Sequence, residues 1–413
     1  MRRYLSAAAL KLPAKLAGVI AVWSVTLLYV LFQGGKTSVM LLTMVSVLIL
    51  YLIAGGFAGV RRAQGSRMLY LEGERQDLLH AGGFLRVKLG ITLPGFLPLP
   101  YVVVKEVLKR HNGESWIFEE SVVPNFKGHG ELKFQTPPLE RGRYFFSDTE
   151  IASSDIFGLV EYKGRFTTPG QFGVLPRMVP VTSWMLYERN SRAAGPQVSL
   201  APSRRETTQI NGVRDYVYGD RISRIHWNAT ARTGTWKSKE FEHESLPKTM
   251  LVLDGTSTAY ANEPQFELAV STAASLLGYG IRDRIGMGLC CLDKEIKVFP
   301  PAESGSERQK MIQYLVDIEG EGKGPLLPRL EKSWRMFPRG AYFVLISPRS
   351  ASDSLEALRW AESRGMTPCH IQVKNPQSRR SHEWQDDSKT QGYLTHRVGD
   401  LHELPAVLGG YPS

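Results

Sequence analysis

The chain has 413 residues, 51 Lys and Arg against 40 Asp and Glu, a formal net charge of +11, and three cysteines. That length accommodates two or three domains, each able to bury its own core. The charge is not a nucleic-acid signature, because residues 1–67 hold eight basic side chains and no acidic one, leaving 43 basic against 40 acidic groups elsewhere.

At the N-terminus, Leu16–Phe32 is an uncharged run of 17 residues and Thr37–Val60 one of 24. At about 1.5 Å per residue both fit a membrane span, the first barely. Gly34, Gly35 and Lys36 form the short connection, so residues 1–67 read as a transmembrane helical hairpin. Arg2, Arg3, Lys11 and Lys15 precede it and Arg61, Arg62 and Arg67 follow it, which places both termini in the cytoplasm of a multi-pass membrane protein. A cleaved signal peptide is disfavoured by the absence of a small-residue cleavage site after Phe32 and by the second apolar run.

Residues 68–184 read as a β-sandwich-like domain. Runs such as FLRVKLGI, YVVVKEVLK, ELKFQTPP and RYFFSDTEIA are alternating, β-branched or aromatic, and Gly- and Pro-rich breaks separate them. Residues 185–248 combine a polar linker with a charged helix and strand. Residues 249–413 alternate strand and helix: TMLVLDG, IGMGLCCL, EIKVFPP, AYFVLIS and MTPCHIQV as strands, with helices over PQFELAVSTAASLLGYGI, SERQKMIQYLVDI (Ser306 and Gln309 spaced as a capping box) and SDSLEALRWAESR. YLTHRV and DLHELPAVL add a last strand and short helix. Continuous apolar strands between amphipathic helices predict a doubly wound α/β sheet. Cys290, Cys291 and Cys369 fall in apolar strand-like runs, which predicts buried free thiols in a reducing compartment. No CxxC pair supports a zinc or redox site.

The densest chemistry is RDYVYGDRISRIHWNATARTG, Arg214–Gly234. With Asp220 as N-cap and Gly234 as C-terminal breaker, it predicts an amphipathic helix of about three turns. Ile222, Ile225, His226 and Ala229 would line the apolar face, and Arg221, Arg224, Asn228 and Arg232 the cationic one. TWKSKEFEHE then alternates as a strand whose Glu240, Glu242 and Glu244 could face the arginines. Three readings remain open: an internal ion-pair network, a docking surface for a protein partner, and a phosphate or nucleic-acid site. Six acids offset the nine basic residues of Arg204–Lys248, against the third. The candidate binding residues are Arg214, Tyr216, Asp220, Arg221, Arg224, Trp227 and Arg232.

This stretch resembles the signature of a bacterial membrane family known as domain of unknown function fifty-eight. That pattern runs R-x-Y-x-x-G-D, R-x-I-x-W, A-R and K-x-F with a following Glu. Here these are Arg214, Tyr216, Gly219, Asp220, Arg224, Ile225, Trp227, Ala231, Arg232, Lys239, Phe241 and Glu244. RGRY (Arg141–Tyr144), LPRMVPV and DIFGL (Asp155–Leu159, with Ile156 where Pro is usual) add to it. The resemblance implies a membrane anchor, a β-rich domain and a C-terminal von Willebrand factor A-like domain. It also implies a MoxR-type AAA+ ATPase as partner, often with a transglutaminase-like membrane protein nearby, in the assembly or maturation of other proteins.

Type A domains carry a metal at the strand C-terminal edge, beginning with D-x-S-x-S. The matching DGTST gives Asp254, Thr256 and Thr258, hard oxygen ligands suited to Mg²⁺ or Mn²⁺. The other elements are degenerate: AYFVLIS ends in Ser347-Pro348 where an Asp is expected, and PPAESGS offers no middle Thr. The competing expectation is that Asp254 and the hydroxyls satisfy backbone groups in a loop. No P-loop, GxSxG or HExxH is present. The sequence thus points to a non-enzymatic, membrane-anchored adaptor that needs no cofactor. The alternative is a metal-dependent, hydrolase-like enzyme using Asp254. A metal-dependent adhesion module would require that domain outside the cell, against the flanking charges.

Overall fold

The computed structural model describes residues 14–55, 59–71, 78–95, 99–187, 205–218, 220–244, 248–375 and 392–409. They form two compact units, divided between Leu175 and Pro176.

The first unit begins with two helices, α1 (Ala14–Gln33) and α2 (Lys36–Gly55), joined through Gly34 and Gly35, both at positive φ. Trp23 Nε1 donates to Ser46 Oγ at 2.9 Å, tying them together. Among the described residues, α2 lies in the one helical segment long and apolar enough to cross a membrane; the apolar part of α1, Ala17–Gln33, is shorter. Nine strands follow: β1 (Gln64–Leu71), β2 (Leu85–Thr92), β3 (Val102–Arg110), β4 (Ser115–Val122), β5 (His129–Gln135), β6 (Gly142–Phe146), β7 (Thr149–Ser154), β8 (Glu161–Phe166) and β9 (Gln171–Val174). They build two antiparallel sheets, β1-β2-β5 and β8-β7-β3-β6-β9 with β4 paired to β3. Alternation places Leu85, Val87, Leu89 and Ile91 of one sheet and Val102, Val104 and Leu108 of the other in a shared core. Arg67 of β1 and Glu106 of β3 form a fully buried 2.6 Å ion pair, and Thr149 Oγ1 also donates to Glu106. Buried on both sides, this pair needs its full set of donors, which Thr149 helps supply.

The second unit opens with residues 176–187, which were expected in part to close the β domain. Val181, Trp184 and Leu186 instead sit in the α/β core, because each is apolar and finds α-helical and strand partners there. A two-stranded antiparallel pair follows, β10 (Arg205–Asp215) and β11 (Lys237–Glu244), enclosing α3 (Trp227–Thr233). The α/β part comprises β12 (Thr249–Asp254), α4 (Glu263–Arg282), β13 (Met287–Leu292), β14 (Ile296–Ala302), α5 (Gly305–Asp317), α6 (Leu326–Ser333), β15 (Tyr342–Ser347), α7 (Ala351–Ser363), β16 (Thr367–Val373), β17 (Leu394–Val398) and α8 (Leu404–Gly409). The sheet order is β14-β13-β12-β15-β16-β17, parallel except for β14 at one edge. Every residue of β12, β13 and β15 is buried, which is why these strands read as unbroken apolar runs. Two local expectations change. The N-cap of α5 is Ser304, whose side chain accepts from Glu307 N, rather than Ser306. Helix α6 has no counterpart among the expected helices, because LLPRLEKS is short and carries a Pro.

Strand order reverses between β12 and β15. Such a switch point leaves a crevice outside the strand C-termini, the usual ligand position in open α/β sheets. Asp254 ends β12 and Ser347 ends β15.

Candidate functional site

The Arg214–Gly234 stretch is not one long helix. Asp220 caps no helix; its carboxylate holds the turn that leaves β10. Oδ1 accepts from Arg214 Nη2 at 2.8 Å and Oδ2 from Val217 N at 3.1 Å. Those two donors, the arginine first, hold the Asp220 carboxyl below its usual range. Tyr216 Oη donates to Asp220 O at 3.1 Å. Ile222–Arg224 is a single 3₁₀ turn, and Ile225, 1% exposed, bridges back to Ser238. This pairing ends any continuous helix. His226 is then the true N-cap, its Nδ1 accepting from Ala229 N at 3.1 Å, and α3 runs two turns to Gly234 at φ 71°. The C-terminal glycine is therefore as read, whereas the N-terminus lies six residues later.

The local frame is tightly bonded. Tyr216 N donates to Trp236 O, His226 N to Lys237 O, and Lys237 N to Thr230 Oγ1. Lys237 Nζ pairs with Asp215 at 2.5 Å. On this frame stand exposed apolar side chains: Trp227 is 62% exposed, Trp236 56% and Tyr218 fully, with Val217 and Ile222 also exposed. Trp236 lies between Tyr216 and Trp227, with ring centroids 5.8 and 6.3 Å away. Arg221 and Arg232 are exposed beside them, whereas Arg214 and Arg224 are only partly so and engaged. The predicted residues thus separate into two roles. Arg214, Tyr216 and Asp220 build the turn; Arg221, Trp227 and Arg232 face solvent. Trp236 and Tyr218 join the surface without having been singled out, although Trp236 was visible as an aromatic two residues after the glycine cap; Ile222, expected on the apolar face, is exposed because it lies on the 3₁₀ turn and not on α3. The expected facing of Glu240, Glu242 and Glu244 concerns side chains outside the described residues.

At the switch point, Asp254 is fully buried. Its Oδ1 accepts from Thr256 N at 3.1 Å, and its Oδ2 from Ser347 Oγ at 3.0 Å and Arg349 Nε at 2.8 Å. Thr256 is also buried, and its hydroxyl accepts from Arg329 Nη1 at 3.4 Å. Arg329 Nη2 donates further to Asp293 O. Thr258 is exposed on a 3₁₀ turn, Ser257–Ala259. Tyr260 Oη donates to Asp254 O at 2.5 Å, and burial pushes its phenol well above the ordinary range. The structure therefore brings Asp254 and Thr256 together but not into an open oxygen cage. Both carboxylate oxygens already have donors, and a guanidinium lies where a divalent cation would neutralise the charge. The residues present do not fit a Mg²⁺ or Mn²⁺ site, since a second cation against Asp254 would be repelled by Arg349. Among the described residues no group of three His, Cys, Asp or Glu side chains could hold a metal. The reading of Asp254 as a loop-organising carboxylate describes the geometry, with Arg349 as the partner that sequence reasoning missed. Ser347 fits the expected strand end, and the departure follows it, Pro348 standing where an Asp is expected.

The family model described as "Protein of unknown function DUF58" matches residues 212–380, a span that includes both sites. The "Uncharacterized protein YeaD" of Bacillus subtilis is 27% identical over 304 residues, covering 72% of this chain and 73% of its own length. Among solved structures, proximal thread matrix protein 1 from the mussel byssus is 13% identical, covering 40% of this chain and 46% of its own, with a TM-score of 0.28. The manganese-loaded TRAP protein of Plasmodium vivax is 14% identical, covering 39% of this chain and 71% of its own, with a TM-score of 0.28.

Proposed function

We propose that this chain is a membrane-anchored interaction protein, with an N-terminal helical hairpin in the bilayer and a von Willebrand factor A-like α/β unit on the cytoplasmic side. Its exposed aromatic and arginine surface docks a protein partner. The observation that carries this reading is the exposure of Trp227, Trp236 and Tyr218 on a frame held by backbone hydrogen bonds. Solvent-exposed Trp, Tyr and Arg on a rigid support are the residue types that anchor interfaces. The expected partner is a MoxR-type AAA+ ATPase, with a transglutaminase-like membrane protein as a further associate, in the assembly or maturation of client proteins. The internal-network reading accounts for Arg214, Tyr216 and Asp220, but not for the exposed set.

A metal-dependent enzyme built on Asp254 is the competing idea. It requires turnover that Mg²⁺ or Mn²⁺ supports and Asp254→Ala abolishes; the Arg349 contact weighs against it. The test is affinity capture from detergent-solubilised membranes, with and without ATP. Recovery of an AAA+ ATPase by wild type and its loss with Trp227→Ala/Trp236→Ala supports docking. Undiminished recovery by a folded double variant removes this surface from the assignment.

A further inference from the structure

The DIFGL segment of the first unit has a role that partner docking does not use. Asp155 is 5% exposed and organises a turn: its Oδ1 accepts from Val160 N at 2.7 Å, its Oδ2 from Phe157 N at 3.0 Å, and its carbonyl from Gly158 N at 3.0 Å. Gly158 closes the turn at φ 65°. Asp at the first position and Gly at the fourth are the preferences of a type I turn. The two side chains between them are apolar and project outward, Ile156 71% and Phe157 63% exposed. A surface turn so firmly held normally carries polar residues there.

This turn lies against α2. The Phe157 ring meets Tyr51 edge-on at 6.1 Å, and Ile156 N donates to Tyr51 Oη at 3.4 Å. Tyr162 Oη donates to Leu52 O at 2.7 Å, and its ring leaves no room for a Cβ at Gly55. Tyr51 and Leu52 lie about one helical turn, roughly 5 Å, before the end of α2 at Gly55. The turn therefore reaches back alongside the apolar part of the helix. Val47 and Met44, one and two turns before Tyr51 on the same helical face, are exposed, so the apolar surface continues from helix to turn. Arg61 and Arg62, just beyond, are exposed and suit the headgroup level.

We propose that the Asp155–Gly158 turn is a membrane-interface element: Ile156 and Phe157 insert into the bilayer beside α2 and hold the β unit against its surface. The occupant is lipid because the patch is continuous with the helix surface that a bilayer would cover. Two apolar side chains at the acyl boundary with aromatic and basic residues beside them match the interfacial pattern. The inference rests on α2 spanning the membrane.

The test uses the full chain in vesicles of phosphatidylcholine and phosphatidylglycerol, with a nitroxide attached at Phe157→Cys, at Met44→Cys on the exposed face of α2, or at Lys294→Cys in the α/β unit. The native cysteines are fully buried and stay unlabelled. The Phe157 label is expected to collide several-fold less with a water-soluble nickel chelate than the Lys294 label, and more with oxygen. If Met44 reads lipid while Phe157 matches Lys294, the turn faces water and the insertion is wrong, although the span stands. If Met44 also reads water, the membrane span itself fails and the insertion with it.

Discussion

Replacing Arg349 with Met tests whether the protein supplies its own cation at the switch point. Two unit charges about 4 Å apart attract by about 4 kcal/mol at an effective dielectric of about 20. Arg349 keeps 22% of its side chain exposed while Asp254 has none, so water screens part of this. Removing one partner leaves a carboxylate with two neutral donors, Ser347 Oγ and Thr256 N. Uncompensated buried charge ordinarily costs about 3–5 kcal/mol, and partial exposure lowers the expectation to about 2–3 kcal/mol. For a unit of this size the thermal midpoint should fall by roughly 5–10 °C. Adding Asp254→Asn should restore most of the loss, because the amide oxygen still accepts a hydrogen bond and no charge remains. Intrinsic tryptophan fluorescence of the full chain in detergent during heating reads both changes. Millimolar Mg²⁺ should raise the midpoint of Arg349→Met and leave wild type unmoved. Stabilisation of wild type by Mg²⁺, lost in Asp254→Asn, would refute the argument.

Other outcomes follow from the same geometry. Trp227→Ala and Trp236→Ala should each leave stability within about 0.5 kcal/mol, because both are more than half exposed, yet weaken partner capture about tenfold or more, read by titrated pull-down. His226→Ala removes the cap of α3 and should cost about 1 kcal/mol, measured by denaturant midpoint; an unchanged midpoint would show the cap to be idle. His370 is buried, and desolvation lowers its pKa to about 4, so the folded chain resists a proton that the unfolded chain accepts below its ordinary value near 6.5. Stability should therefore fall as pH drops from about 6.5 toward 4, by up to about 3 kcal/mol, and His370→Gln should flatten that slope in pH-dependent melts. Burial pushes Cys290 and Cys369 up to about 12 and Cys291 well above its usual range, so iodoacetamide should modify none of them until the protein is denatured, as counted by intact mass.

Much of the fold follows from residue order. The α/β strands are buried on both faces, so TMLVLD, MGLCCL and YFVLIS announce themselves without tertiary information. The β unit alternates in β2 and β3 because one face packs on the core. The Arg214–Gly234 stretch was harder. Of the apolar face Ile222, Ile225, His226 and Ala229, only Ala229 lies within α3; Ile225 pairs with Ser238 of β11, and that backbone pairing overrides helix preference. The expected β domain runs to residue 184, whereas Trp184 packs its ring against Tyr187 and Tyr279 of the α/β unit.

The sequence by itself determined the apolar helices, the two sheet classes, the buried thiols and the position of Asp254 at a strand end, because each depends on local periodicity or on a residue's own chemistry. Only the tertiary structure decided what those residues face. It set Arg349, 95 positions away, against Asp254, left Thr258 in solvent, and turned Trp227 and Trp236 outward while burying Ile225. Charge neutralisation and exposure are properties of neighbours in space, and neighbours brought together by sheet order leave no trace in the spacing of the residues themselves.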